Sequence, residues 1–170
     1  TRKIQLRPVP VLGGLAIFFG IVVGVLAAHT VVACSELFVV LACMMIMTYV
    51  GALDDVLDIS PLVRLVAEVT VILILMNIGG YALDHFHGLW GIGHLPAWAT
   101  MIITIVAVTG IINSINLIDG VNGLSSGYCI MASLIFGAYF YIEGNIPMVI
   151  LAAVSVGSLI PFFMHNVFGK

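Results

Sequence analysis

Long apolar runs alternate along the chain with short segments in which proline, glycine and charged residues collect. Breaking the chain at those segments gives six runs, at 11–33, 37–53, 62–83, 97–116, 123–142 and 146–166. Most of them are near the ~20 residues that an α-helix needs to cross the hydrocarbon core of a bilayer. The pattern therefore predicts an all-α fold, a polytopic transmembrane helix bundle of about six spans. The second run is the shortest, and we expect its helix to extend inward to Asp54.

Composition supports a membrane protein. Of the 170 residues, 62% are hydrophobic and 8% are charged, whereas soluble domains carry about 25% charged residues. A soluble domain of this size has too little interior for so many apolar side chains, so we predict that residues 1–170 form a single transmembrane domain. Because the chain begins at Thr1 and stops at Lys170 directly after an apolar run, we expect it to be an internal piece of a longer polypeptide. The scattered Cys34, Cys43 and Cys129 are expected to be small buried hydrophobes.

Charge also predicts the orientation of the bundle. Six spans return the chain to the side on which it started, and this places every basic side chain on one face: Arg2, Lys3, Arg7, Arg64 and Lys170. The positive-inside rule makes that face cytoplasmic. The same count places Asp54, Asp55, Asp58 and Asp119 on the inner face, and Glu36, Asp84, Glu143 and four of the five histidines on the outer face.

The inner-face acids are the first candidates for chemistry. A charge in or beside hydrocarbon costs about 2.5–3.5 kcal/mol on insertion scales, so acids at these positions are expected to be functional. Adjacent ionised carboxylates such as Asp54 and Asp55 repel each other unless a cation offsets the repulsion. Mg²⁺ typically takes one or two carboxylates and completes its shell with water and phosphate oxygens. We therefore predict a Mg²⁺ site, which could also accept Mn²⁺, in preference to a solvated helix end with two ordinary surface acids.

A second polar motif ends the fourth run. The spacing of three between Asn113, Asn116 and Asp119 puts these groups on one side of the predicted helix, near its inner end. One interpretation is an interhelical hydrogen-bond ladder, which membrane helices do use. The carboxylate favours the other interpretation, in which Asp119 joins the aspartate pair as a metal ligand and catalytic residue and the two asparagines bind substrate.

Three further positions are candidates for ligand contacts. Arg64 either pairs with Glu68, four residues along the third helix, or holds a phosphate. The basic, extended N-terminal stretch that contains Lys3 is either an orientation signal or an anion-binding arm. Asn166 reaches the inner end of the last span and could contribute to the same cluster. The pair His85-x-His87 has metal-like spacing but no third evident ligand, so we predict no metal there.

Missing motifs narrow the choice of chemistry. The chain has no phosphate loop of the Gly-x4-Gly-Lys-Ser/Thr type and no His-Glu-x-x-His. An ATPase and a zinc protease are therefore poorly supported, and no nucleic-acid partner is predicted. The remaining acidic, cationic, membrane-edge pattern favours Mg²⁺-assisted transfer between phosphorylated substrates, at least one of them a lipid.

The motifs resemble those of a known family. The segments concerned are Gly51-Ala52-Leu53-Asp54-Asp55-x2-Asp58-Ile59-Ser60, Asn113-x2-Asn116-Leu117-Ile118-Asp119-Gly120-Val121-Asn122-Gly123-Leu124, Pro8-Val9-Pro10-x2-Gly13-Gly14 and Pro161-x3-His165-Asn166. They resemble the polyprenyl-phosphate N-acetylhexosamine-1-phosphate transferases. Among these, the bacterial undecaprenyl-phosphate N-acetylglucosamine-1-phosphate branch is the most similar, and the phospho-N-acetylmuramoyl-pentapeptide branch is more distant.

This resemblance implies a function and a location. It implies an Mg²⁺-dependent phosphoglycosyl transferase that moves a sugar 1-phosphate from a UDP-sugar to undecaprenyl phosphate and releases UMP. This would be the first membrane step of cell-envelope polysaccharide synthesis, such as that of lipopolysaccharide or cell wall. The enzyme would be a multi-pass protein of the bacterial cytoplasmic (inner) membrane, with its active site and both ends of this chain on the cytoplasmic side. Homo-oligomerisation is left open.

The resemblance also implies roles for individual residues. Asp54 and Asp55 match the family's acidic pair, Asn116 and Asp119 match its second acidic motif, and Asn166 matches an asparagine close to the active site. Family members also carry a helix before the position of Thr1 and, after the position of Lys170, a Gly-Asp metal-site motif and a His-rich loop. We therefore expect this chain to hold only part of the site.

Two other classes of function remain as alternatives. In a secondary transporter or channel, acids near the middle of the membrane would bind coupling ions. Here the acids are predicted at the inner face and the mid-span positions are almost wholly apolar, which disfavours a conduction path. The remaining alternative is an inactive scaffold subunit.

Overall fold

The fold is described by a computed structural model that covers residues 12–118 and 123–169. Within these residues the chain forms six α-helices: α1 Leu12–His29, α2 Leu37–Leu57, α3 Pro61–Asn77, α4 Ala97–Ile118, α5 Leu124–Ile142 and α6 Ile146–Phe168. A single 3₁₀ turn, Leu89–Gly91, lies between α3 and α4. Each predicted apolar run coincides with one helix, so the all-α prediction is confirmed.

Helix lengths agree with a multi-pass membrane protein. In the described part of the chain, α2, α4, α5 and α6 contain between 19 and 23 residues and are long and apolar enough to cross a bilayer. The helices α1 and α3 are shorter. The predicted third run extends to residue 83, but α3 ends at Asn77, because the glycine pair that follows includes Gly80 in the left-handed region (φ 72°). The helix α2 continues to Leu57 and so includes both adjacent aspartates, as expected.

Consecutive helices run in opposite directions, and so do α1 and α6. A Cβ atom added to Gly24 of α1 would lie 2.6 Å from Cγ1 of Val154, and one added to Gly20 would lie 2.6 Å from Oγ of Ser158, so α1 passes close to α6 with reversed direction. These two glycines therefore serve packing, as their spacing of four suggests. The helix α6 also contacts α2 and α5, and α3 lies between α2 and α4. The ends of the even-numbered helices and the beginnings of the odd-numbered helices consequently share one face, the predicted inner face.

Few side chains are buried inside the bundle. One small core lies between α1, α2 and α6 and consists of Ile21, Val25, Cys34, Leu37 and Leu41. Large apolar side chains on α4 and α5 face outward, which is the arrangement expected where lipid is the solvent. Cys34 and Cys43 are buried, in agreement with their prediction as small hydrophobes, and Cys129 is half-buried.

The outer connection between α3 and α4 is a small hairpin. The N–H of Phe86 donates to the carbonyl oxygen of Gly93 at 3.0 Å, and the N–H of Leu95 donates to that of Asp84 at 2.8 Å. The imidazole of His85 lies 4.3 Å from that of His87 and 4.2 Å from that of His94, measured between ring centroids. His94 is a neighbour that sequence spacing did not reveal, because it is brought back only by the hairpin.

Acidification should weaken this hairpin. Partial burial, followed by the nearby His94 and His87, lowers the pKa of His85, while Asp84 opposes the shift. A histidine whose pKa is lower in the folded state than in the unfolded state stabilises the folded state at pH values above about 6.5, its ordinary pKa. This stabilisation is lost as the pH falls below that value. Relative to the intrinsic exchange rate, which itself falls with pH, amide hydrogen exchange at Phe86 and Gly88 should therefore accelerate as the pH is lowered from about 7.5 to about 5.5.

The matched control is His85→Asn, which has no titratable ring but retains an acceptor for the His87 N–H, now bonded to Nδ1 of His85 at 2.9 Å. The pH-dependent part of the acceleration should shrink in this variant. An equal pH dependence in the variant and the wild-type protein would show that His85 is not the responsible group.

Candidate active site

The inner ends of α2 and α3 are joined by a tight turn. The backbone of Asp58 ends α2 in the left-handed region (φ 50°, ψ 57°), and its N–H donates to the carbonyl oxygen of Asp54 at 2.9 Å. Ser60 then begins α3, because its Oγ accepts from the N–H of Val63 at 3.4 Å, and Pro61 occupies the first turn. The short turn brings the last turn of α2 beside the first turn of α3.

An ion pair links these two helix ends. Nη1 of Arg64 donates to Oδ2 of Asp54 at 2.9 Å, with the two side chains 26% and 24% exposed. Of the two alternatives for Arg64, the pairing with Glu68 on the same helix is wrong, because the long arginine side chain reaches across the turn to α2 instead. The phosphate contact stays a prediction. The guanidinium offsets the charge of one of the two adjacent carboxylates, a role that the sequence alone assigned to a metal ion.

Asp55 has a different environment from its neighbour. Successive residues of an α-helix point about 100° apart, since there are 3.6 residues in a turn. Asp54 therefore faces α3 while Asp55 is exposed. An exposed carboxylate beside an ion pair is accessible to a ligand from solution.

A buried hydrogen bond joins α3 to α4 about one helical turn further into the bundle. The side chain of Glu68 is 2% exposed, and Nδ2 of Asn113 donates to its Oε2 at 2.8 Å. The same Nδ2 also donates to the carbonyl oxygen of Thr109 at 2.9 Å. Asn113 thus makes the interhelical hydrogen bond considered as an alternative above, and its predicted contact with substrate stays a prediction. The signal that could have singled out Glu68 is its position as an acid within an apolar helix.

We call the four side chains that connect α2, α3 and α4 the polar seam: Asp54, Arg64, Glu68 and Asn113. Among the other predicted site residues, Asn116 is exposed near the inner end of α4 and Asn166 is half-buried near the inner end of α6. Asp119 and Lys3 lie outside the described residues.

Whether these residues suit Mg²⁺ depends on the chemistry of their donors. Within residues 12–118 and 123–169, no three or more His, Cys, Asp or Glu side chains are grouped in a way that could hold a metal ion. Asp54 and Asp55 nevertheless offer two carboxylates at one helix end, which matches the one or two that Mg²⁺ commonly takes. The three-aspartate site that includes Asp119 stays a prediction.

An all-α bundle with an apolar outer surface and an acid–cation pair at one end defines a multi-pass membrane protein with a polar inner face. Comparison with known sequences is more specific: the chain belongs to glycosyl transferase family 4, whose model matches residues 37–169. This match confirms the resemblance seen in the motifs. No solved structure matches the chain.

Curated relatives match along nearly the whole chain. It is 28% identical over 168 residues to the undecaprenyl-phosphate alpha-N-acetylglucosaminyl 1-phosphate transferase of Yersinia pestis, covering 97% of this chain and 45% of that protein. It is also 28% identical to a probable undecaprenyl-phosphate N-acetylglucosaminyl 1-phosphate transferase of Bacillus subtilis, with 98% and 46% covered. A decaprenyl-phosphate N-acetylglucosaminephosphotransferase of Mycobacterium leprae is 28% identical, with 97% and 46% covered. The chain thus spans about half the length of these relatives.

Proposed function

We propose that the full-length protein transfers N-acetylglucosamine 1-phosphate, or a related sugar 1-phosphate, from a UDP-sugar to undecaprenyl phosphate in the bacterial inner membrane. The observation that carries this proposal is the family match over residues 37–169. Relatives named as undecaprenyl-phosphate N-acetylglucosaminyl 1-phosphate transferases also align along nearly the whole chain. The ion pair at the inner ends of α2 and α3 supports it, because it puts charged groups beside the apolar surface where a lipid phosphate would meet a soluble nucleotide.

In the proposed reaction an oxygen of the lipid phosphate attacks the sugar-bearing phosphorus of the UDP-sugar. The bond from that phosphorus to the bridging oxygen breaks, UMP leaves, and a lipid pyrophosphate linked to the sugar is formed. The attacking phosphate needs little help from a base, since the second pKa of a phosphate monoester is about 6. The main obstacle is repulsion between the two anionic substrates.

The charged residues of the inner face are suited to reduce that repulsion. Arg64 offers a planar cation that can bind phosphate oxygens in a bidentate manner. Asp54, Asp55 and Asp119 would hold Mg²⁺, which when bound neutralises phosphate charge and keeps the reacting oxygens in line. Asn113, Asn116, Asn166 and Lys3 are proposed to contact the substrates. The less favoured route has one of the aspartates attack phosphorus and form a covalent intermediate.

The test is an assay of the full-length protein in lipid vesicles. UMP should appear only when UDP-N-acetylglucosamine and undecaprenyl phosphate are both supplied. The amount of UMP released should equal the amount of lipid-linked sugar formed. EDTA should abolish the reaction, and Mg²⁺ or Mn²⁺ should restore it. A labelled phospho-protein trapped without acceptor lipid would favour the covalent route.

Two outcomes would contradict the proposal. Movement of solute across the vesicle membrane without UMP release would favour a transporter. No UMP release from any UDP-sugar, with the protein folded, would favour the inactive scaffold.

A further inference from the structure

Glu68 is a buried acid that the proposed reaction does not use. Its side chain is 2% exposed, inside a helix that is otherwise almost entirely apolar beyond its first turn. Burying a polar group costs free energy unless it is hydrogen-bonded. The described partner is the amide of Asn113 on α4, at 2.8 Å. The group therefore fixes one particular contact between two helices.

Such a contact matters because apolar helix surfaces specify register poorly in a membrane. Lipid tails are as apolar as leucine, so side-chain hydrogen bonds and close packing have to select the relative positions of the helices. The outward residues of α4 are apolar and include Ile102, Val106 and Ile111. Near its outer end, Oγ1 of Thr104 accepts from the N–H of Leu83 at 3.0 Å. The Glu68–Asn113 hydrogen bond provides α4 with a defined axial position against α3.

The polar seam extends this register to the predicted site. Arg64 and Glu68 lie one turn apart on α3, and their side chains bond to different neighbouring helices. Arg64 bonds to Asp54 of α2 at 2.9 Å. Glu68 bonds to Asn113 of α4 at 2.8 Å. Asn113 lies three residues before Asn116, a rise of about 4.5 Å along α4. The helix α3 thus sets how the Asn116 end of α4 stands relative to the aspartate pair at the end of α2.

We propose that Glu68 is a positioning residue for the transfer reaction: by accepting the hydrogen bond of Asn113 it holds the inner end of α4 in register with Asp54 and Asp55. This inference rests on the proposed function. It assigns to Glu68 no contact with substrate or metal. A displacement of about 1 Å at reacting groups can lower a rate by about a hundredfold, so loss of this register should be visible in turnover.

The first test compares Glu68→Leu with Glu68→Gln in the full-length protein. Glu68→Leu keeps similar volume but removes the acceptor, and kcat should fall by about 10- to 100-fold while KM for the UDP-sugar changes by less than about threefold. Glu68→Gln retains an acceptor oxygen and should restore kcat to within about threefold of wild type. Adding Glu68→Leu to Asn113→Leu should cause little further loss, since Asn113→Leu already removes the donor of the same hydrogen bond.

Thr70→Val is the matched control. Thr70 lies on the same helix and is exposed, and within residues 12–118 and 123–169 its side chain bonds only inside α3, through Oγ1 to the carbonyl oxygen of Val66 at 2.8 Å. This variant also exchanges a polar side chain for an apolar one, but it removes no contact between helices. Its kcat should stay within about twofold of wild type.

A second measurement is independent of turnover. Spin labels at Leu57 of α2 and Leu117 of α4, which are 65% and 78% exposed, report the distance between the two inner helix ends in a background without the native cysteines. The distance distribution should broaden in Glu68→Leu and remain narrow in Glu68→Gln. An unchanged kcat and distribution in Glu68→Leu would overturn the inference, as would equal losses in both variants.

The two measurements separate this inference from the proposed function. A wild-type protein that turns over normally, with Glu68→Leu unaffected, would refute the positioning role alone. A wild-type protein without turnover would refute the proposed function, and the role of Glu68 in that reaction would fall with it, even if the distance distribution broadened.

Discussion

Replacement of Asp55 by asparagine in the full-length protein should lower UMP release by on the order of a hundredfold or more. Asparagine preserves the size of the side chain but removes the negative charge that the proposed site requires. Asp55 is exposed, while the neighbouring Asp54 already bonds to Arg64 at 2.9 Å, so Asp55 is the member of the pair whose charge is directly accessible to a cation or substrate. The measurement is kcat/KM for the UDP-sugar at several Mg²⁺ concentrations, where a weakened metal site would also raise the concentration needed for half-maximal rate.

Asp58→Asn provides a closely matched control. Asp58 lies three residues further along, is exposed, and undergoes the same chemical change. Its backbone is left-handed (φ 50°), a conformation that asparagine tolerates about as well as aspartate. Activity should remain within about twofold of wild type. Equal losses of activity in the two variants would mean that the inner face needs only a general negative charge. Full activity in Asp55→Asn would show that Asp55 does not belong to the site.

Replacement of Gly123 by alanine should destabilise the inner end of the bundle. Gly123 begins α5 with φ 76°, a conformation that costs an L-residue about 1–2 kcal/mol. An added Cβ would also meet the side chains of Val167 and Phe163 on α6. Overpacking of this kind typically costs a further 1–3 kcal/mol or so. We expect a fall of several degrees in Tm, measured by thermal unfolding in detergent, together with reduced UMP release.

Gly144→Ala isolates the packing part of this effect. Gly144 has nearly the same backbone (φ 75°), but it lies in the outer turn between α5 and α6, with nothing within 4 Å of an added Cβ. This variant should show only the smaller backbone cost. If both variants lowered Tm equally, the contact between Gly123 and α6 would be without energetic importance.

The helices were predictable because the bilayer acts as their solvent. Each span must satisfy its backbone internally and present apolar side chains to lipid, so the length of an apolar run almost equals the length of a helix. Two helices end before their predicted runs do: α1 ends at His29 although its run continues to residue 33, and α3 ends at Asn77 although apolar residues continue. The left-handed conformation of Gly80 determines where α3 ends, and the hydrophobicity pattern does not predict it.

The candidate site was predictable only in part. The cap at Ser60 and the extension of α2 through Asp54 follow from local rules, and the extension is confirmed. Of the two alternatives for Arg64, the pairing with Glu68 is wrong, because the rule of four residues considers only contacts within one helix. The bond between Glu68 and Asn113 spans 45 residues, and no local pattern reports which helices become neighbours. Asp119 and Lys3 lie outside the described residues, so their roles stay predictions.

The contact of α1 with α6 has a consequence for biogenesis. The glycines of α1 are within contact distance of residues in a helix that emerges from the ribosome more than a hundred positions later. In a two-stage view of membrane folding, the glycine-containing face of α1 therefore contacts lipid until α6 has been inserted. The contact between α1 and α6 thus forms late. A ribosome stalled before Ile146 would hold an intermediate that is inserted in the membrane but lacks this contact.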